Sequence, residues 1–187
     1  GETARGVPAS PGREVATFAE ITASRPDGFE PVPLHHNDVA YMFYSGGTTG
    51  TAKGITHLAH DFLIVPERHG ALWVYSATDV VYATSKKYFT HGLWPGVLIP
   101  LYWGGIGVIS RLAPTAENVA GILERTRATK LITVPTIVKN LLLHIEQSDR
   151  TYDFSALEMA VSASEKMPPE IFDRFHRLIG VELMDSI

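Results

Sequence analysis

Residues 44–54, YSGGTTGTAKG, place four glycines, three threonines, a serine and one lysine in eleven positions. Glycines let a backbone adopt positive φ and approach a ligand closely. The hydroxyls of Ser45, Thr48, Thr49 and Thr51 can donate to phosphate oxygens, as can the N–H groups that such a turn exposes. Lys53 adds a mobile cation. Together these groups suit a polyphosphate; the plain alternative is a flexible surface turn. The spacing is not that of a Walker A loop, which needs G-x-x-x-x-G-K-[ST]. Here Gly47 and Gly50 are too close, two residues separate Gly50 from Lys53, and Gly54 follows the lysine. G-x-G-x-x-G is not matched either.

Other chemically capable residues carry weaker patterns. His57 and His60 form an H-x-x-H pair and His35 and His36 are adjacent, but no third ligand completes a metal pattern, so no metal site is expected. Lys86 and Lys87 read as a solvated pair. Trp73, Trp94, Trp103, Tyr82 and Tyr102 read as core rather than as a stacking platform.

The loop needs a frame, and the hydrophobic pattern supplies one. Residues 38–45 (DVAYMFYS) read as a strand that runs into the loop. Residues 57–74 read as a helix that Pro66 should kink or split. Strands are expected at 79–84, 106–110, 130–134, 157–161 and 181–184. Residues 89–105, punctuated by Pro95 and Pro100, read as a broken, buried helix. A helix over 115–127 has Thr115 as its cap and Glu117 in its first turn. Another opens at Pro135, with Ile137, Val138, Leu141, Leu142 and Ile145 at helical spacing. The last opens at Pro168 or Pro169.

Residues 1–37 are expected to be an irregular lead-in with a short helix near 17–23, and residues 38–187 an α/β nucleotide-binding subdomain. Short strands alternating with helices predict βαβ units, hence an α/β fold with a mostly parallel sheet and flanking helices. Ligands of such sheets lie outside the carboxyl ends of the strands. The loops after Tyr44, Thr84, Val134, Val161 and Met184 are therefore the places to look.

Composition narrows the function classes. The chain has 187 residues, 45% of them hydrophobic, a net charge of −4 and no cysteine. That excludes a disulfide framework and thiolate zinc sites. No basic block favours nucleic acid. No apolar run approaches the roughly 20 residues of a membrane span. The amino-terminal residues lack the layout of a signal peptide, and a cytoplasmic location is expected.

With these residues in view, the glycine loop resembles the signature of the adenylate-forming superfamily, which includes acyl-CoA synthetases, firefly luciferase and peptide-synthetase adenylation domains. The family pattern is roughly Y-[ST]-S-G-[ST]-[TS]-G-x-P-K-G; Gly46 replaces its serine and Ala52 its proline. The resemblance continues in order. KGITHLAHD looks like the segment after the loop. SKKYFTHGLWPGVLIPLYWGG is similar to the acyl-pocket segment of benzoate-CoA ligases and their aryl-CoA relatives. TKLITVPTIVKNLL follows. LEMAVSASEKMPPEIFDRF resembles an S-A-G-E-x-L-P segment, with Ser164 in place of glycine. GVELMDSI resembles the strand leading into D-G-I-G-x-T-E, with Ser186 in place of glycine.

The resemblance implies an ATP-dependent aryl-CoA ligase. Its substrates would be ATP, with Mg2+ carried by the nucleotide, coenzyme A and a small aromatic, benzoate-like carboxylic acid. An aliphatic or alicyclic acid, or a non-catalytic nucleotide-binding module, are the alternatives. The matching positions assign Ser45, Gly46, Gly47, Thr48, Thr49, Gly50, Thr51 and Lys53 to the ATP phosphates. They assign Ala163, Ser164, Glu165, Asp185, Ser186 and Ile187 to the adenine side. Tyr88, Thr90, His91 and Gly92 fall to the acyl pocket, where His91 would stack on an aryl ring or hydrogen-bond the carboxylate. No catalytic residue and no metal ligand falls within the chain. The resemblance covers the middle of the family's large N-terminal domain. The expectation is therefore a fragment with no ligase activity in isolation, weak ATP binding and a tendency to self-associate through uncovered sheet edges.

Overall fold

The computed structural model describes residues 18–23, 28, 30–45 and 50–186. The chain divides into two compact units, Gly1–Leu34 and His35–Ile187. Within the first, helix α1 spans Phe18–Ala23. All that follows concerns the second.

Two sheets form there, of different kinds. Strands β1 (Val39–Ser45) and β2 (Lys53–Leu58) make an antiparallel hairpin. Strands β3 (Val80–Ala83), β4 (Ile106–Val108), β5 (Lys130–Thr133), β6 (Met159–Ala163) and β7 (Leu183–Ser186) make a parallel sheet in the order β4-β3-β5-β6-β7. The mostly parallel α/β architecture follows the sequence pattern.

Alternation along the central strands sends side chains to two buried faces. Tyr82, Leu131, Ala160 and Leu183 point to one face, packing with α5 (Ala116–Thr126), α6 (Pro135–Gln147) and α7 (Pro169–Ile179) through Val119, Ile122, Leu141, Leu142 and Phe175. Val81, Ala83, Ile132 and Val161 point to the other, against Tyr75, Trp94 and Ile99. That second face is covered by α3 (Thr90–Leu93), a π-helical turn (Trp94–Leu98) and α4 (Ile99–Tyr102). These three pieces are the broken, buried helix expected over 89–105. Asp79 and Lys130, both buried, pair at 3.2 Å near the amino ends of β3 and β5.

Local signals explain several boundaries. The Thr115 hydroxyl accepts from Asn118 N (3.3 Å) and starts α5, as the capping pattern predicted. Pro135 and Pro169 stand in the first turns of α6 and α7, where a missing N–H leaves no bond unmade. Gly180, at φ 87°, ends α7 in the left-handed conformation that glycine tolerates.

Three expectations fail in detail. First, residues 57–74 are not one helix. His57 and Leu58 belong to β2, paired with Tyr41 and Val39, and α2 spans Asp61–Leu72. Tertiary pairing with β1 overrides the helical pattern there, and the β-branched Ile55 and Thr56 suit the strand. Pro66 does not split α2 either. Its carbonyl accepts from Trp103 Nε1 (2.9 Å), and Gly70 leaves the room, since a Cβ there would lie 2.0 Å from that nitrogen. Second, the strand that runs into the glycine loop is not part of the parallel sheet. Third, β6 and β7 each begin and end two residues later than their hydrophobic runs suggest. The N–H groups of Glu158 and Met159 both donate to Thr129 O, which fixes where β6 can start. Among the described residues, no helix is long and apolar enough to cross a membrane.

Candidate functional site

The glycine loop closes the β1–β2 hairpin. Ser45 pairs with Lys53, so the hydroxyl and the cation stand as facing posts at the mouth of the connection. Gly50, Thr51 and Lys53 are exposed. Gly46, Gly47, Thr48 and Thr49, like Ile187, lie outside the described residues.

The hairpin is held by aromatic contacts. Tyr41 of β1 stacks flat on His57 of β2 (ring centroids 4.7 Å apart, 7° between planes). It also meets Phe62 of α2 at 5.0 Å and Trp94 of the π-helical turn at 5.9 Å. Burial, and then the charge of Asp61, push the Tyr41 hydroxyl up to about 12. Asp61 opens α2 and binds the end of β2: its Oδ2 accepts from His57 Nδ1 (2.9 Å) and Leu58 N (3.1 Å). Burial opposes the charge of Asp61, but the bonds from His57 and Leu58 and the nearby His60 outweigh it and hold the carboxyl below its usual range.

His57 is also a wall of a cavity of about 380 Å3. Val65 and His69 come from α2 and Trp73 from its end; Thr90 and His91 come from α3; Trp94 and Pro95 come from the π-helical turn. Ala163, Ser164 and Ser186, at the carboxyl ends of β6 and β7, complete it. The volume falls in the range of roughly 300–1,000 Å3 common for small-molecule sites, and the wall is mainly apolar and aromatic. The Tyr75 hydroxyl donates to Pro95 O (2.9 Å), bracing the turn from behind. Such π-helical turns recur at functional sites.

A second cavity, of about 470 Å3, lies beside the first and shares Ser164 and Ser186 with it; Glu165, Lys166 and Asp185 complete its lining. Strand pairing creates this junction. Ala163 lies opposite Ser186 and Ser162 opposite Asp185, so two segments more than twenty residues apart present their ends together. Ser164 sits at φ 82°, left-handed backbone that favours glycine. This is the position where the resembling motif has glycine.

The expected acyl-pocket residues divide. Thr90 and His91 line the first cavity, whereas Tyr88 is exposed and does not. Gly92 does not line it either; it packs α3 onto the preceding loop, where a Cβ would come within 2.2 Å of Lys86 O. His91 Nδ1 meets Ser85 Oγ at 3.4 Å, and Nε2 is buried with no partner among the described residues. Burial, then the nearby His69 and Lys87, hold His91 below the ordinary imidazole value; burial does the same for His69. Lys87 is not the solvated residue that its sequence suggests. Half buried, it donates to Ala83 O (3.0 Å), and burial lowers its ammonium.

Sequence reasoning assigned no ligand contact to His57, Val65, His69, Trp73, Trp94 or Pro95. Trp94 is core, as expected, yet the same indole faces the cavity. The available signal was the H-x-x-H-D run after the loop, which matters through Asp61 rather than through a metal.

The chain resembles known proteins along most of its length. The family model described as AMP-binding enzyme matches residues 4–186. A 4-hydroxybenzoate–CoA/benzoate–CoA ligase of Rhodopseudomonas palustris is 28% identical over 170 residues, covering 91% of this chain and 31% of the relative. Acetyl-coenzyme A synthetase 2 of Kluyveromyces lactis is 27% identical over 188 residues, covering 94% and 26%. The crystal structure of an anthranilate CoA ligase in complex with anthranoyl-AMP superposes with a TM-score of 0.78 at 27% identity, covering 95% of this chain and 34% of that one. The chain thus spans about a third or less of the length of the relatives it matches. With the family model matched along nearly its whole length, the chain belongs to the family of AMP-binding enzymes.

Proposed function

We propose that this chain is the central, substrate-gathering part of an ATP-dependent aryl-CoA ligase acting on a small aromatic carboxylic acid. The observation that carries the reading is the junction at Ser164 and Ser186, where an aromatic-walled cavity opens beside a polar one. An acid in the first and a nucleotide in the second would bring carboxylate and α-phosphate to the shared edge. The carboxylate is already a nucleophile and needs no base. It attacks the α-phosphate, the acyl-adenylate forms and pyrophosphate leaves; the thiol of coenzyme A then displaces AMP. Alignment and charge stabilisation carry such phosphoryl chemistry.

In this reading Ser45, Gly46, Gly47, Thr48, Thr49, Gly50, Thr51 and Lys53 hold the β- and γ-phosphates. Ala163, Ser164, Glu165, Asp185, Ser186 and Ile187 flank the adenine. Thr90 and His91, braced by Gly92 and flanked by Tyr88, face the acid. The exposed donors of the hairpin mouth fit an anionic polyphosphate, and Mg2+ would arrive with the nucleotide. The indoles of Trp73 and Trp94 favour a flat ring over a linear acid. A cytoplasmic location, and self-association through the sheet edges β4 and β7, belong to the same reading. The similarity to an acetyl-coenzyme A synthetase supports a second reading, in which the acid is aliphatic.

Pyrophosphate release by the full-length protein containing this chain separates the two. Benzoate is expected to outperform acetate and cyclohexanecarboxylate by at least about tenfold in kcat/KM, a margin that pocket shape alone supplies. Equal or better rates with the aliphatic acids would reverse the assignment.

A further inference from the structure

We infer that Ser164 and Ser186 form a raised sill between the two cavities and determine specificity there: they select against acids with a substituent beside the carboxylate, ortho on an aryl ring. This rests on the aryl-acid reading above and adds a rule of shape to it.

Among the described residues, Ser164 and Ser186 are the ones that the linings of both cavities share. A carboxylate that reaches from the first cavity toward a nucleotide in the second passes over them. Strand pairing sets them side by side. Ser186 lies opposite Ala163, the residue before Ser164, and paired strands run about 4.8 Å apart. Alternation fixes the direction of Ser186. Leu183 packs on the side of α7, so Met184 and Ser186 project from the other face, the one that carries Trp94 and the first cavity.

Local structure explains neither serine. Ser164 sits at φ 82°, a conformation that strains any residue with a β-carbon and costs glycine nothing. Among the described residues, no hydrogen bond holds the hydroxyl of Ser164 or Ser186. The motifs that this chain resembles carry glycine at both positions. Strain kept without a local bond to offset it points to a role in the site. Both residues add the same thing over glycine, a β-carbon and a hydroxyl raised where the acid must pass.

The consequence depends on where a substituent is attached. A ring seated in the first cavity, with its carboxylate over the sill, keeps its para position far from both serines. An ortho group stands beside the carboxylate and meets them. The sill rests on the ends of β6 and β7, whose Val161 and Leu183 are buried in the core, so it has little room to yield. Forcing an extra methyl against such a wall is costly.

The test uses the full-length protein containing this chain with 4-methylbenzoate and 2-methylbenzoate, read by pyrophosphate release. The wild-type protein should favour the 4-isomer by about tenfold or more in kcat/KM, the usual weight of one methyl group in a pocket. Ser164→Gly and Ser186→Gly, which remove the β-carbon, should each lower that ratio by at least about threefold. Ser186→Ala keeps the β-carbon and should keep the ratio; Ser186→Thr adds a methyl and should raise it. An unchanged ratio in either glycine variant overturns the proposal. So does a collapse in S186A, which assigns the selection to the hydroxyl instead. Where a glycine variant fails to fold, S186T decides: a ratio no higher than that of the wild-type protein overturns the proposal. Equal use of the two isomers by the wild-type protein removes the sill and leaves the aryl-acid reading standing. Failure of every aromatic acid removes both.

Discussion

The β1–β2 hairpin and the five-stranded parallel sheet divide the work of this site in opposite ways. The sheet is buried on both faces: Val81, Leu131, Ile132, Ala160 and Val161 are essentially inaccessible. Its strand ends can hold Ser164, Asp185 and Ser186 in place because the packing behind them is dense. Most residues of the hairpin stay exposed or half-buried, Tyr44 at 71% and Ile55 at 49% among them. It has no core of its own. A few side-chain contacts from Tyr41, His57, Phe62 and Asp61 tie it to α2 and to the π-helical turn. The buried sheet thus supplies the strand ends that border both cavities, and the lightly anchored hairpin carries the glycine loop and lends His57 to the wall of the first cavity.

The difference can be broken from the sheet side first. Phe175 of α7 is fully buried against the sheet. Phe175→Ala should cost about 3–5 kcal/mol, read by denaturant unfolding followed by circular dichroism. A loss below about 1 kcal/mol would mean that this packing is not what holds the strand ends. From the hairpin side, Asp61→Ala removes the acceptor shared by His57 and Leu58. Amide exchange should become several-fold faster in β1 and β2 and stay unchanged in β3, β5 and β6. A uniform change across both sheets would show the two regions to be one cooperative unit. The smallest effect sharpens the picture at the junction. Ser164→Gly relieves a left-handed serine, whose strain of about 1–2 kcal/mol is partly offset by the chain entropy of glycine. A net gain of about 0.5–1 kcal/mol in unfolding free energy is expected, and a loss would mean that the serine hydroxyl supports the turn.

These contrasts show which parts of the molecule were legible in advance. Local chemistry was: Thr115 as a cap, Pro135 and Pro169 in first helical turns, and the broken helix around Pro95 and Pro100. The motif departure at Ser164 was legible too, and its positive φ supplies the physical meaning. Features that depend on a distant partner were not legible. Residues 57–58 look helical until β1 lies beside them, and Lys87 looks solvated until its ammonium reaches Ala83 O beside Gly96 of the π-helical turn.

By itself the sequence determined the alternation of strands and helices, the parallel sheet and the family. All of these are written in short-range spacing and residue type. Only the tertiary structure decided that the loop sits on a separate antiparallel hairpin, that His57, His69 and His91 share one cavity, and that Ser164 and Ser186 form its border with a second. Those facts depend on which backbones pair and which faces pack, so side chains far apart in the chain become neighbours only when the fold buries its apolar surface.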